Sequence, residues 1–174
     1  MPLDPPGVHP ELPWTTDALV ADAVLRTWSA DPTIAGYFGG RIYAREQSSF
    51  TSEDIDITAP ELGVVLVRTV ERRSGSSRTN RLDVDVAGVH VFRRTSARGT
   101  QDWLHARLAG WLKAALAAEA GVLRDPAGER LTEALIEWAA AAEPRPLAPS
   151  SDLVAHVVGA TFTASIREDT RETV

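Results

Sequence analysis

Glu61-Leu62-Gly63-Val64-Val65-Leu66-Val67-Arg68-Thr69-Val70-Glu71-Arg72-Arg73 is followed, after Ser74-Gly75-Ser76-Ser77, by Arg81-Leu82-Asp83-Val84-Asp85-Val86-Ala87-Gly88-Val89-His90-Val91-Phe92-Arg93-Arg94. This stretch decides the fold. Its first segment is rich in β-branched residues, apolar on both faces at the start and charged toward the end. That pattern predicts a strand buried at one end and protruding at the other. The Ser-Gly run is a turn signal. In the second segment Leu82, Val84 and Val86 alternate with Asp83 and Asp85, and after Ala87-Gly88 the apolar phase moves to Val89 and Val91. A one-residue slip at a glycine predicts a β-bulge. Residues 61–94 therefore read as a long antiparallel hairpin.

Upstream, Val20, Val24 and Trp28, with Leu25 beside them, form a helical stripe over 15–30. Thr15 or Thr16 stands at the capping position, Asp17 favours the positive helix end, and Asp31-Pro32 ends the helix. Pro32 to Tyr43 reads as a short helical turn, a Gly39-Gly40 pivot and a strand near 41–45. Glu46 to Pro60 is a polar loop. Residues 1–14 hold five of the eleven prolines and form an extended arm.

Downstream, Leu104, Leu108, Trp111, Leu112 and Ala115 predict a helix over 100–120 that covers the sheet, with Gly121 at its stop. Asp125-Pro126-Ala127-Gly128 is a turn. Propensity favours a helix over 131–142, although Leu135-Ile136-Glu137-Trp138 also reads as a short strand. In 153–167, Val154, His156, Val158, Ala160, Phe162, Ala164 and Ile166 share one face of a long last strand. A charged tail, 168–174, follows. The expected fold is α+β: a mostly antiparallel sheet with a long hairpin, packed on one face by two helices, forming one domain over 15–167.

Composition narrows the function. At 174 residues the chain has room for one core. With no cysteine, thiolate zinc sites, disulfides and cysteine nucleophiles are excluded. A net charge of −6, with one lysine among eighteen basic residues, argues against a duplex-DNA clamp. No apolar run reaches membrane-spanning length, and the start of the chain lacks signal-peptide character.

The histidines, His9, His90, His105 and His156, show no paired spacing and share no acidic neighbour, so packing outweighs metal ligation at this level. Glu53, Asp54 and Asp56 cluster in the polar loop but lack EF-hand spacing, so a solvated surface outweighs a cation site. Asp83 and Asp85 read as the polar face of a half-exposed sheet, or as carboxylates lining a bore and repelling DNA phosphates. Arg68, Arg72, Arg73, Arg78 and Arg81 gather toward the hairpin's far end. They read equally as solubilising charge and as a cationic arm that docks on an acidic neighbour. No nucleophile elbow or phosphate-binding loop is present. The expectation is no enzyme, no cofactor and no metal.

The order of parts resembles the phage tail terminator and tail-completion proteins, also called minor tail or neck proteins, of siphophages and related tail-like particles. Three pieces carry the resemblance. One is the opening helix running into Ala30-Asp31-Pro32-Thr33-Ile34-Ala35-Gly36 and Gly40-Arg41-Ile42-Tyr43. The others are the hairpin leading into the helix at 100–120, and the closing strand from His156 to Arg167. The resemblance implies a hexameric ring at the top of the tail tube in the virion. Tube protein lies below it, connector protein above it, and DNA passes through. It also implies a strand and loop near 131–142, where propensity favours a helix. Arg72, Arg73, Arg78, Glu53, Asp54 and Asp56 become the candidate interface residues, with Asp83 and Asp85 facing the bore. The alternatives are another neck component, such as a head-closure or connector protein, and a non-viral small-molecule-binding or regulatory α+β domain. An enzyme would need a deep pocket converging on His90 or His156 with acidic partners.

Overall fold

The computed structural model describes residues 15–45, 59–72, 81–93, 98–139, 145–146 and 152–165. The fold is α+β. Helices α1 (Thr16–Ala30) and α2 (Pro32–Phe38) lead into strand β1 (Ile42–Ala44). Strands β2 (Glu61–Arg72) and β3 (Arg81–Arg93) precede helix α3 (Arg98–Ala117), which ends in a 3-10 turn, Ala118–Gly121. Strands β4 (Thr132–Ala139), β5 (Arg145–Pro146) and β6 (Leu153–Ser165) complete the order. The sheet runs β1-β2-β3-β6-β4, with β5 also paired to β6. Among the described residues only β1 and β2 are parallel; the other pairs are antiparallel.

Local chemistry sets the first corner. Asp31 ends α1 and caps α2, its carboxylate accepting from the Thr33 and Ile34 amides at 2.9 Å each. This satisfies two orphan donors of the new helix. Gly39 and Gly40 then adopt φ of 56° and 76°, a left-handed conformation that costs glycine least, and turn the chain into β1. Thr15 is the α1 cap residue but makes no side-chain capping bond. Asp17 in the first turn accepts instead from the Ala18 amide and from the Thr69 hydroxyl, tying α1 to β2.

One face of the sheet carries the main core. Val20, Val24 and Trp28 from α1, Ile34 and Phe38 from α2, and Leu108, Leu112 and Leu116 from α3 pack on Leu62, Val64, Val84, Val86, Val158, Ala160 and Phe162. Trp28 lies against the sheet at Gly88, and its indole N–H donates to the Leu112 carbonyl at 3.1 Å. Gly88 makes room for it: a Cβ there would lie 2.9 Å from two atoms of the Trp28 ring. Burying such side chains is the main source of stability, on the order of 25 cal/mol per Å² of apolar surface. A smaller cluster, Val65, Val89 and Val91, forms on the opposite face.

Three expectations are corrected. The bulge lies not at Gly88 but in β2, where the register with β3 shifts between Leu66 and Arg68. Strand β3 pairs with β6 without interruption from Arg81 to Arg93. The apparent phase change reflects Val89 and Val91 filling the second cluster while His90 stays on the main-core face. The buried line of α3 is His105, Leu108, Leu112 and Leu116, with Leu104, Trp111 and Ala115 only half-buried. Finally, 132–139 is strand β4, not a helix. The free edge of β6 supplies its hydrogen bonds and the core receives Trp138. Thr132 anchors its start, its hydroxyl donating to the Gly121 carbonyl and accepting the Leu123 amide. Among the described residues no helix is long and apolar enough to cross a membrane.

Candidate functional site

Two polar groupings occupy opposite faces of the β3–β6 pair. On the face away from the helices stand Asp83 and Asp85. Asp85 accepts from Arg68 Nε at 3.0 Å and Nη2 at 2.9 Å, and from the Thr161 hydroxyl at 2.7 Å. Asp83, buried, is paired with Arg72 and accepts from the Thr163 hydroxyl at 3.3 Å. Each carboxylate is thus met by one arginine from β2 and one threonine from β6. The antiparallel register sets this directly for Asp85, which pairs with Arg68 and Thr161; for Asp83 it supplies Thr163, while Arg72 reaches in diagonally from its register position opposite Arg81. A further arginine, Arg81, reaches Glu133 of β4 at 3.4 Å. The two aspartates expected as bare bore-facing acids are therefore locally compensated, and their field at any distance is weakened accordingly.

Among the candidate contact residues at the hairpin's far end, Arg72 is exposed while engaged with Asp83 of its own chain. Arg73 and Arg78 lie outside the described residues, as do Glu53, Asp54 and Asp56. Near Arg68 and Arg72, Val67 and Val70 are 45% and 39% exposed. Val157 on β6 is likewise exposed.

On the helix-covered face, three histidines that are far apart in sequence converge. His90 and His156 are direct partners in the β3–β6 register. His105, from α3, lies over both, its ring centroid 5.4 Å from that of His90 and 4.8 Å from that of His156. One nitrogen from each ring can be chosen so that all three lie within 4.8 Å of one another. All three side chains are buried, and Tyr37, Phe38 and Phe92 wall the cluster on the His90 side. Both ring nitrogens of His90 and Nδ1 of His156 have no hydrogen-bond partner.

Burial lowers the His90 pKa from 6.5 to about 3, with the neighbouring His105 and His156 adding to the effect. The His156 pKa falls to about 4, again through burial first and His105 second. Both imidazoles are neutral at pH 7. Reading along the chain missed this grouping because the histidines are 15 and 51 residues apart by their numbering. The available signal was that His90 and His156 sit among apolar residues of paired strands. No carboxylate of the described residues joins the cluster.

Compared with models of known protein families, the chain matches none, and it matches no curated protein.

Proposed function

We propose that the chain is a structural component of a phage-type tail. It forms a ring that caps the tail tube and joins it to the head-neck connector, with DNA passing through the bore. The observation that carries this reading is the pair of open strand edges on opposite sides of the sheet. Strand β1 covers β2 only from Leu62 to Val64, so among the described residues the outer half of β2, Val67 to Arg72, has no neighbour on that side. At the other margin β4 is the last strand of the order. A head-to-tail ring needs two different surfaces on each subunit, and open edges supply them through main-chain hydrogen bonds. Exposed Val67 and Val70 add apolar area at the first edge, while Arg68 and Arg72 restrict promiscuous pairing. The succession of opening helix, hairpin, helix and closing strand supports the same reading.

The test is the mass of the tag-free protein, alone and mixed with tube protein, with the tube lengths measured by electron microscopy. The expected result is a ring, of six subunits by the resemblance, that halts tube growth. Rings that leave tube length unchanged would favour another neck position. A monomer at high concentration that leaves tubes unaltered overturns the proposal. Reversing charge at Arg72, Arg73 and Arg78 should weaken ring assembly; unchanged assembly removes the hairpin end from the interface.

A further inference from the structure

We propose that His90, His105 and His156 form a buried site for one divalent transition-metal ion of the zinc class, which ties α3 to the β3–β6 pair. The inference is independent of the tail reading. It begins with the donor set. Imidazole nitrogens suit zinc, copper, nickel and cobalt and are poor ligands for calcium or magnesium, which take oxygen. Three imidazoles with a fourth position left to water is a familiar zinc arrangement.

The geometry comes next. Tetrahedral zinc with bonds of about 2.0–2.1 Å places its nitrogens roughly 3.4 Å apart. The observed atoms all lie within 4.8 Å of one another, so closure needs small ring rotations rather than movement of the backbone. The ligands come from three rigid elements, two of them paired strands in fixed register, which holds the donors in place before an ion arrives.

Burial supplies the independent observation. His90, His105 and His156 are 1%, 5% and 3% exposed, and His90 has no hydrogen-bond partner at either nitrogen. A buried polar group left without a partner is costly, on the order of 1–3 kcal/mol. Phenylalanine would fill the same space beside Phe38 and Phe92 without that cost. One cation would satisfy a lone pair on each of three rings at once. With so little exposure, the ion would enter during folding, when the ligands are still open to solvent.

The experiment uses tag-free full-length protein, unfolded and refolded with Zn²⁺ or with chelator. Metal content is measured by mass spectrometry, and Co²⁺ replaces zinc for visible absorption. The expected result is one ion per chain, the intense absorption of tetrahedral Co²⁺, and a Tm higher with zinc by about 5 °C or more. His90→Phe preserves ring packing and should abolish the zinc-dependent shift while folding in chelator. His105→Gln is the second variant should His90→Phe not fold, with affinity reduced roughly 100-fold or more through loss of a direct ligand. His9→Gln, which lies outside the described residues, should bind as the original does. Substoichiometric metal in the refolded protein, or a zinc shift that persists unchanged in His90→Phe or His105→Gln, overturns the proposal in favour of a purely packed ring cluster.

Discussion

The Arg68–Asp85–Thr161 ladder and the histidine cluster are built on the same two strands and differ in which face they occupy. On the open face every described carboxylate oxygen of the ladder that is named above has a donor, and the arginines reach solvent. On the covered face the polar atoms are enclosed by helices and aromatic rings, and His90 is left without a hydrogen bond. The difference teaches that polarity within a strand is cheap when register delivers a partner and expensive when burial precedes one. The first grouping is explained by its own side chains. The second leaves both His90 nitrogens without a hydrogen-bond partner among the described residues, and the proposed metal ion would bind one of them.

The largest test of this contrast is acidification in the presence of chelator. The titratable groups facing His90 are Tyr37 from α2, His105 from α3 and His156 from β6. The folded pKa values of His90 and His156, about 3 and about 4, lie below the ordinary 6.5 of an unfolded chain. The unfolded state therefore takes up protons first. Stability is fully present above pH 6.5 and declines as pH falls toward 4. Each histidine contributes a slope that approaches about 1.4 kcal/mol per pH unit below 6.5, so the two remove on the order of 4 kcal/mol by pH 5. Urea midpoints between pH 7 and pH 5 measure it, and His90→Phe should flatten the slope.

Next comes Gly88→Ala, which intrudes on the covered face between the two strands and α1. The new methyl would press on the rigid Trp28 ring at 2.9 Å and on Leu62 Cδ1 at 3.3 Å. The expected cost is about 2 kcal/mol by urea denaturation. No loss would mean that α1 can shift away without penalty.

On the open face Asp83→Ala should cost about 1 kcal/mol, from the buried carboxylate's hydrogen bond to Thr163 and its pairing with the solvent-exposed Arg72. A double-mutant cycle with Arg72→Ala isolates the pair, with a coupling energy of about 0.5 kcal/mol expected. The smallest effect is that of Val70→Lys. At 39% exposure the residue contributes little to the single chain, so its stability should stay within about 0.5 kcal/mol. Sedimentation should nonetheless show weaker self-association if this edge meets a neighbour.

Local chemistry was legible along the chain. The stop of α1 at Asp31-Pro32, the Gly39-Gly40 turn, the β2–β3 hairpin and the alternation of β6 all follow from periodicity and turn residues. Strand β4 was not legible, and the reason is visible in its register. Shifts between Thr132 and Ala134 and between Leu135 and Glu137 break the two-residue period that marks a strand. Its alanines and glutamates suit a helix, yet the unpaired edge of β6 offers hydrogen bonds that a helix could not use. The bulge was expected in β3 at Gly88 rather than in β2 between Leu66 and Arg68 for a related cause, since β3 is buried on both faces near Val89 and its apolar run carries no single phase.

By itself, then, the amino-acid order determined the α+β class, the hairpin, the closing strand and the ends of α1, because each depends on neighbours within a few residues. The tertiary structure alone decided that Asp83 and Asp85 are met by arginines and that His90, His105 and His156 share one buried space. Those relations depend on strand register and on how α3 crosses the sheet, which couple residues tens of positions apart through packing that no local pattern encodes.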